Sequence, residues 1–307
     1  MILVTGGAGF IGSHLVRALV AQGRPVRVLD NLSTGRRENL NGLDVEFIEG
    51  DLRDDDALAV ALRGVEAVSH HAAMISVPRS VDDPLGSHAI NVEGAVRLLD
   101  LARRFGVQRF VFASSAAIYG DEPTLPKTEN MPPLPQSPYA LHKLVGEQYL
   151  RLFHRLYGMD TVSLRYFNVY GPRQDPASPY AAVIPLFASA LRENRRPTVF
   201  GDGQQTRDFV YVDDVVRANL AALTVADPAG RVVNIASGKQ SNLLDLLAAL
   251  APNFKRKLKP VFADARPGDV RHSVASIDAA RELLGFAPTV GLEEGLAATV
   301  RWMKGEA

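Results

Sequence analysis

The chain contains no cysteine. Disulfides, thiolate nucleophiles and cysteine-ligated zinc are therefore excluded, and any chemistry must come from oxygen and nitrogen groups. Charge of either sign is not in excess: Lys plus Arg and Asp plus Glu number 34 each. No global field favours nucleic acid or an anionic membrane, so an anionic ligand must be held by local charges. No run of 18 or more apolar residues occurs, which argues against a membrane span. The strand-like Met1-Ile2-Leu3-Val4 leaves no room for a signal peptide, and a cytoplasmic location is expected. The histidines show no metal-ligand spacing, so no metal site is expected.

What is present is an ordinary globular composition, 47% hydrophobic and 22% charged over 307 residues. β-branched runs recur at Ile2 to Thr5, Val26 to Leu29, Val45 to Ile48, Ala67 to His70, Arg109 to Ala113 and Val162 to Arg165, separated by helix-length amphipathic segments. Such alternation predicts an α/β fold, a Rossmann-type doubly wound parallel sheet with helices on both faces. Ligands bind such sheets at the carboxyl ends of the strands. After about Gly171 the pattern loosens into Pro- and Gly-rich connections, which predicts a smaller C-terminal lobe over 171–307 that reads the substrate. The boundary near residue 170 is soft, because chains of this kind can return to the sheet late.

The first strand runs into Thr5-Gly6-Gly7-Ala8-Gly9-Phe10-Ile11-Gly12, followed by an apolar-periodic helix. The spacing fits G-x-x-G-x-x-G through Gly6, Gly9 and Gly12, or G-x-G-x-x-G through Gly7, Gly9 and Gly12. Glycines allow a tight turn and close approach to a pyrophosphate, which the N–H groups at the helix start stabilise. Asp30 ends the second strand, about 20 residues past the glycines, where a carboxylate accepts hydrogen bonds from the adenosine ribose. It repels a 2′-phosphate and so favours NAD over NADP, although Arg36 and Arg37 lie close in sequence. Residues 1–170 are thus expected to form the NAD-binding domain. Asp51 and Leu52 are positioned to meet the adenine, though Asp51 could equally cap a helix beginning near Asp54.

Tyr139 and Lys143 lie four apart at the start of a long amphipathic stretch behind Ser137-Pro138, so they share one helix face. A phenol with an ordinary pKa of about 10 is a poor base at neutral pH, and a neighbouring cation favours its phenolate. By itself the pair is weak evidence, since both residue types are common on solvated helix faces. It follows one crossover after Ser114-Ser115-Ala116-Ala117, where a strand-end hydroxyl can hold a substrate hydroxyl and its developing oxyanion.

With these motifs in place the chain resembles the extended short-chain dehydrogenase/reductase family, in its NAD-dependent UDP-sugar 4-epimerase branch. The resemblance runs from Thr5-Gly6-Gly7 to Leu283-Leu284-Gly285-Phe286. It implies Ser115, Tyr139 and Lys143 as catalytic residues. For the cofactor it implies Gly6, Gly9, Phe10, Ile11, Gly12, Asp30, Asn31, Asp51, Leu52, Ala72 and Asn91, with Tyr139 and Lys143. For the substrate it implies Ser115, Asn168, Val183, Arg207, Arg266, Asp269 and Ser273. His70-His71-Ala72-Ala73 fits the family's His-x-Ala-Ala pattern, with His71 where an apolar residue is usual. Relatives that dehydrate sugars carry an Asp-Glu pair after the hydroxyl residue, because eliminating water needs an extra acid and base. Here that place is Ala116-Ala117, which leaves reversible oxidation and reduction at one carbon, an epimerisation.

Two runs, Tyr180 to Pro185 and Asp269 to Ser273, are similar to the UDP-N-acetylglucosamine 4-epimerase subgroup. A small Ser273, where some relatives carry tyrosine, implies room for an N-acetyl group. Alternatives share the cofactor motifs: a UDP-glucuronate 4-epimerase with Arg79 or Arg173 meeting a carboxylate, another nucleotide-sugar reductase or decarboxylase, or a non-catalytic NAD-sensing module. The family usually forms a homodimer through two long helices, here Pro84 to Phe105 and Pro138 to Tyr157, whose apolar stripe includes Leu98, Leu101, Leu150 and Phe153. Those four could equally be core.

Overall fold

The structure, a computed structural model, describes residues 1–175, 182–254, 259–265 and 270–306. Its strands are β1 (Ile2–Thr5), β2 (Val26–Asp30), β3 (Glu46–Glu49), β4 (Ala67–His70), β5 (Arg109–Ser115), β6 (Asp160–Tyr166), β7 (Asn168–Tyr170), β8 (Thr198–Phe200), β9 (Thr206–Arg207), β10 (Phe209–Tyr211), β11 (Arg231–Ile235), β12 (Ser241–Asn242) and β13 (Val261–Ala263). Its helices are α1 (Phe10–Ala21), α2 (Asp55–Leu62), α3 (Val77–Asp82), α4 (Pro84–His88), α5 (Ala95–Arg104), α6 (Pro138–Tyr157), α7 (Val183–Arg192), α8 (Val212–Ala222), α9 (Leu243–Leu250), α10 (Asp278–Leu284) and α11 (Leu292–Met303).

Seven strands form one parallel sheet in the order β11-β6-β5-β4-β1-β2-β3. The six expected runs are all in it, each within a residue or two of its bounds. The seventh strand, β11, arrives from the second half of the chain and pairs with β6. The strand order reverses between β1 and β4, and this is where such a sheet opens a crevice for a ligand.

Because successive side chains point to opposite faces, each central strand serves two cores at once. Leu3, Phe110 and Phe112 face Leu58, Leu98, Leu150 and Phe153 of α2, α5 and α6. Ile2 and Val4 face Leu15 and Leu19 of α1. Val111 and Ala113 face Val215 and Ala218 of α8 and Leu283 of α10. Each large side chain buried this way stabilises the fold by about 1.5–3 kcal/mol.

Of the two readings left open for Leu98, Leu101, Leu150 and Phe153, these contacts select the core. Leu98, Leu150 and Phe153 are buried, and half-buried Leu101 packs against the same cluster. The helices expose a different stripe: Leu85 is 82% and Leu141 48% exposed, beside Val77 and Val81. The second half builds its own core from Phe187, Leu191, Val199, Leu246, Leu250, Leu296 and Val300. Among the described residues no helix is long and apolar enough to cross a membrane.

Candidate active site

The turn between β1 and α1 is set by backbone crowding. Gly6 has φ +67° and donates its N–H to the Leu29 carbonyl at 2.8 Å. A Cβ on Gly12 would lie 2.2 Å from the Gly6 carbonyl oxygen, so only glycine lets α1 start this close to β1. Gly9 is the N-cap and offers no side chain to cap the first turn, leaving the N–H groups of Phe10, Ile11 and Gly12 directed toward the crevice. The Phe10 ring packs edge-on to His14 at 6.0 Å and Ile11 packs into the core, so these two would serve a dinucleotide through their backbone. The cradle fits a pyrophosphate.

Asp30, 7% exposed, accepts hydrogen bonds from the N–H groups of Ala8 and Leu32, each at 2.9 Å. Burial pushes its carboxyl above the usual value and those two N–H groups pull it back. Each oxygen keeps one lone pair for a ribose diol. Arg36 reaches Asp175 at 3.0 Å and Arg37 lies over the Phe47 ring at 4.5 Å, so neither guanidinium is placed for a 2′-phosphate. The residues present fit NAD.

Asn31 donates to Asp51 at 2.9 Å. Two hydrogen bonds from Arg53, at 2.7 and 2.9 Å, hold the Asp51 carboxyl well below the ordinary carboxylate range. The capping alternative for Asp51 is overturned, because the cap of α2 is Asp54, which accepts from the N–H groups of Asp56 and Ala57. Leu52 is core. The Ala72 N–H donates to Thr5 Oγ1 at 3.3 Å, at the edge of the glycine turn. Asn91 sits in a π-helical stretch, Ala89–Gly94, and clamps the Met74 backbone through both its N–H and its C=O, at 2.8 and 2.9 Å. It acts behind the site by fixing the loop after β4.

Helix α6 carries the catalytic pair. Ser137 caps it by accepting from the Ala140 N–H at 3.2 Å, and Pro138 takes the first position, where a missing donor costs nothing. Ser80 Oγ accepts from the Tyr139 N–H at 3.1 Å. Where α6 crosses β5, a Cβ on Gly146 would stand 2.5 Å from the Phe112 ring, so glycine brings the helix down onto the strand. Lys143 Nζ donates to the Ala113 carbonyl at 2.8 Å and lies 5.8 Å from the centre of the Tyr139 ring. Burial brings Lys143 down to about 8, with Glu147 pulling the other way. Burial raises the Tyr139 phenol, and a hydrogen bond with Ser115 lowers it.

The Lys143 ammonium, expected to activate Tyr139, is thus fixed by the Ala113 carbonyl on the tyrosine's side of the helix. Ser115 ends β5 and also caps the following turn by accepting from the Ala117 N–H at 3.2 Å. The two residues that follow it are Ala116 and Ala117, which carry no acid or base.

Several expected substrate residues meet on one patch of the second lobe. The Thr206 carbonyl accepts from both Arg207 Nη1, at 2.8 Å, and the Ser273 N–H, at 3.2 Å. The Asn168 N–H donates to the adjacent Asp208 carbonyl at 3.0 Å. Val183 opens α7 behind Ala182, which makes no side-chain cap. Val274, next to Ser273, accepts from the Lys127 N–H at 2.8 Å and so ties this patch to the loop that follows Ser115. Arg266 and Asp269, with Tyr180 and Ala181 of the subgroup run, lie outside the described residues.

Other residues in the same sequence runs are structural. Asp208 is buried and accepts from the N–H groups of Ser237, Gly238 and Ala275. Arg173 Nε donates to Ser13 Oγ of α1 at 3.0 Å, on the glycine-turn side, and Arg79 is exposed. His70 bonds Thr5 Oγ1 at 2.7 Å, His71 bonds Ser69 Oγ at 2.9 Å, and His142 bonds Ser87 Oγ at 3.1 Å. Sequence reasoning passed over Ser80, Ser114 and Glu147. Glu147 was readable as the next residue on the Tyr139–Lys143 face, at spacing four.

The fold and site define a dinucleotide-dependent enzyme with a strand-end serine and a helix-borne tyrosine–lysine pair. The chain belongs to the NAD dependent epimerase/dehydratase family, whose model matches residues 2–236. It is 43% identical over 310 residues to a UDP-glucose 4-epimerase of Mycolicibacterium smegmatis, covering 98% of each chain. Among solved structures it is similar to the UDP-N-acetylglucosamine 4-epimerase of Methanobrevibacter ruminantium in complex with UDP-N-acetylmuramic acid. That likeness has TM-score 0.95 and 40% identity, over 100% of this chain and 98% of the other. The Thermus thermophilus UDP-glucose 4-epimerase in complex with NAD matches with TM-score 0.92 and 41% identity, over 100% and 99%.

Proposed function

We propose that this protein is an NAD-dependent UDP-hexose 4-epimerase acting on UDP-glucose and UDP-galactose and on their N-acetylated counterparts. The observation that carries the reading is Lys143 Nζ bound to the Ala113 carbonyl at 2.8 Å, which sets the Tyr139–Lys143 face of α6 against the end of β5 that carries Ser115, with alanines where elimination would need carboxylates. When bound, NAD supplies a reversible hydride acceptor that no side chain provides. Tyr139 takes the proton of the sugar 4-hydroxyl and returns it to the same oxygen once the opposite face has been reduced. Ser115 holds that oxygen while it is a ketone. Lys143 contributes its charge beneath the phenol, and Asn91 and Ser80 keep the surrounding backbone from shifting.

The lobe over 171–307 is read as the UDP-sugar site, with Asn168, Val183, Arg207, Ser273, Arg266 and Asp269 as its contacts. The small Ser273 is the reason to include N-acetylated sugars. Two copies of the chain are proposed to associate through the exposed Leu85 and Leu141 stripe, and the enzyme is read as cytoplasmic.

Purified protein incubated separately with UDP-glucose, UDP-N-acetylglucosamine and UDP-glucuronate, without added cofactor, tests the reading by chromatography of the products. Conversion of the first two to their 4-epimers is expected. Three unchanged substrates, even with NAD added, would reject it. A Ser273→Tyr variant is expected to lose N-acetylglucosamine turnover and keep that of glucose, and equal turnover of both would remove Ser273 from the specificity argument.

A further inference from the structure

Two successive residues near the end of β5 hold two positions one turn apart on α6. The Ala113 carbonyl takes Lys143 at 2.8 Å, and Ser114 Oγ donates to Glu147 Oε1 at 2.6 Å. Tyr139, Lys143 and Glu147 are four residues apart and share one face of the helix. Glu147 is held a second time, from the neighbouring strand. Arg165, the register partner of Ser114 on β6, gives its carboxylate two hydrogen bonds, at 2.8 and 2.7 Å. All three groups are buried: Ser114 is 3%, Glu147 0% and Arg165 3% exposed. The Arg165 guanidinium lies over the Tyr119 ring at 4.8 Å, which fixes it from the far side.

A purely structural ion pair of this kind contributes little over a well-packed apolar pair. Its place one helical turn behind Lys143 points to a further role. We propose that Glu147, fixed by Ser114 and Arg165, is a positioning residue of the epimerase reaction that keeps the Lys143 ammonium charged beneath Tyr139.

The inference rests on the functional reading above and deepens it. Lys143 is faced by Tyr139, His142 and Glu147 from its own helix and by His70 and His71 from the end of β4. The three imidazoles are held below their ordinary value, first by burial, and His71 falls to about 3. They are neutral at working pH, and Glu147 is the carboxylate in this group of residues. Burial lowers Lys143 to about 8, and Glu147 is the group that opposes the fall. Without that charge the ammonium loses its proton at lower pH, and the phenolate of Tyr139 loses its neighbouring cation.

The test compares the holoenzyme with Glu147→Gln and with the double variant Glu147→Leu/Arg165→Met. The double variant removes both charges and replaces them by apolar side chains, so it keeps a folded protein available if Glu147→Gln strands Arg165. Two readouts are followed: the alkaline limb of kcat/KM for UDP-glucose, and the titration of Lys143 by NMR of lysine labelled at Cε, identified by its loss in Lys143→Arg. In Glu147→Gln both are expected to move to lower pH by about one unit or more, and in the double variant, where loss of the Arg165 cation partly offsets loss of the carboxylate, by a smaller step in the same direction. A folded variant whose limb and Lys143 titration stay at the wild-type pH overturns the proposal and leaves Glu147 a structural residue. If the unmodified enzyme turns over no UDP-sugar, the functional reading fails instead, and the NMR titration still decides whether Glu147 holds the charge on Lys143.

Discussion

Gly12→Ala is the perturbation whose consequence follows most directly from the geometry. The added methyl carbon would sit 2.2 Å from the Gly6 carbonyl oxygen and 2.9 Å from Gly7 Cα. Ordinary contact begins near 3.4 Å, so the turn must open by roughly 1 Å. It has little freedom to do so. The Gly6 carbonyl accepts from the Gly9 N–H at 3.1 Å, and its own N–H is held by Leu29 at 2.8 Å. Overpacking of this kind costs about 1–3 kcal/mol. If that cost falls on the arrangement that holds a pyrophosphate, affinity for NAD drops about 5- to 150-fold. The assay is cofactor content per chain after purification, followed by calorimetric titration with NAD. Gly291→Ala, at the N-cap of α11 and away from the turn, is the control: a Cβ there meets nothing within 4 Å and φ is −70°, so its effect on NAD affinity should be within about 0.5 kcal/mol. A Gly12→Ala protein that binds NAD as tightly as the wild type would refute the crowding argument.

The other expectations concern the chemistry and the surface. Tyr139→Phe removes the proton acceptor and should lower kcat by about 10²- to 10⁴-fold while leaving the melting temperature nearly unchanged; a full-rate variant in the epimer assay would take Tyr139 out of the mechanism. Leu98→Ala should cost about 2–5 kcal/mol in denaturant unfolding without changing oligomeric state, because Leu98 is fully buried between α5 and the sheet. Leu141→Asp should do the reverse, weakening self-association in sedimentation while stability shifts little. If Leu98→Ala dissociates the protein and Leu141→Asp does not, the exposed stripe is not the interface.

Much of this molecule was legible before its fold was known. The six sheet strands are short β-branched runs between amphipathic segments, and a buried parallel strand has few other ways to be written. The glycine turn, Asp30, and the tyrosine and lysine four residues apart were legible because each is a local constraint. A backbone that must turn tightly needs glycine, and two groups that share a ligand on one helix must recur at its period. Asp51 and the dimer stripe were not legible. Whether a carboxylate caps a helix or holds an arginine depends on a side chain two residues away, and an amphipathic helix does not state which neighbours cover its apolar face.

By itself, then, the sequence determined six strands of the sheet, the cofactor turn and the face of α6 that carries Tyr139 and Lys143, since all are written in spacings of two to four residues. Only the tertiary structure decided what those groups touch. It brought Ser273 beside Arg207, 66 positions away along the chain, through one carbonyl of Thr206. It returned Arg231–Ile235 to the sheet beside β6. It set Glu147 across β5 and β6, where Ser114 and Arg165 close on it. Contacts of that kind depend on strand order and crossing distance, and no short window of residues encodes either.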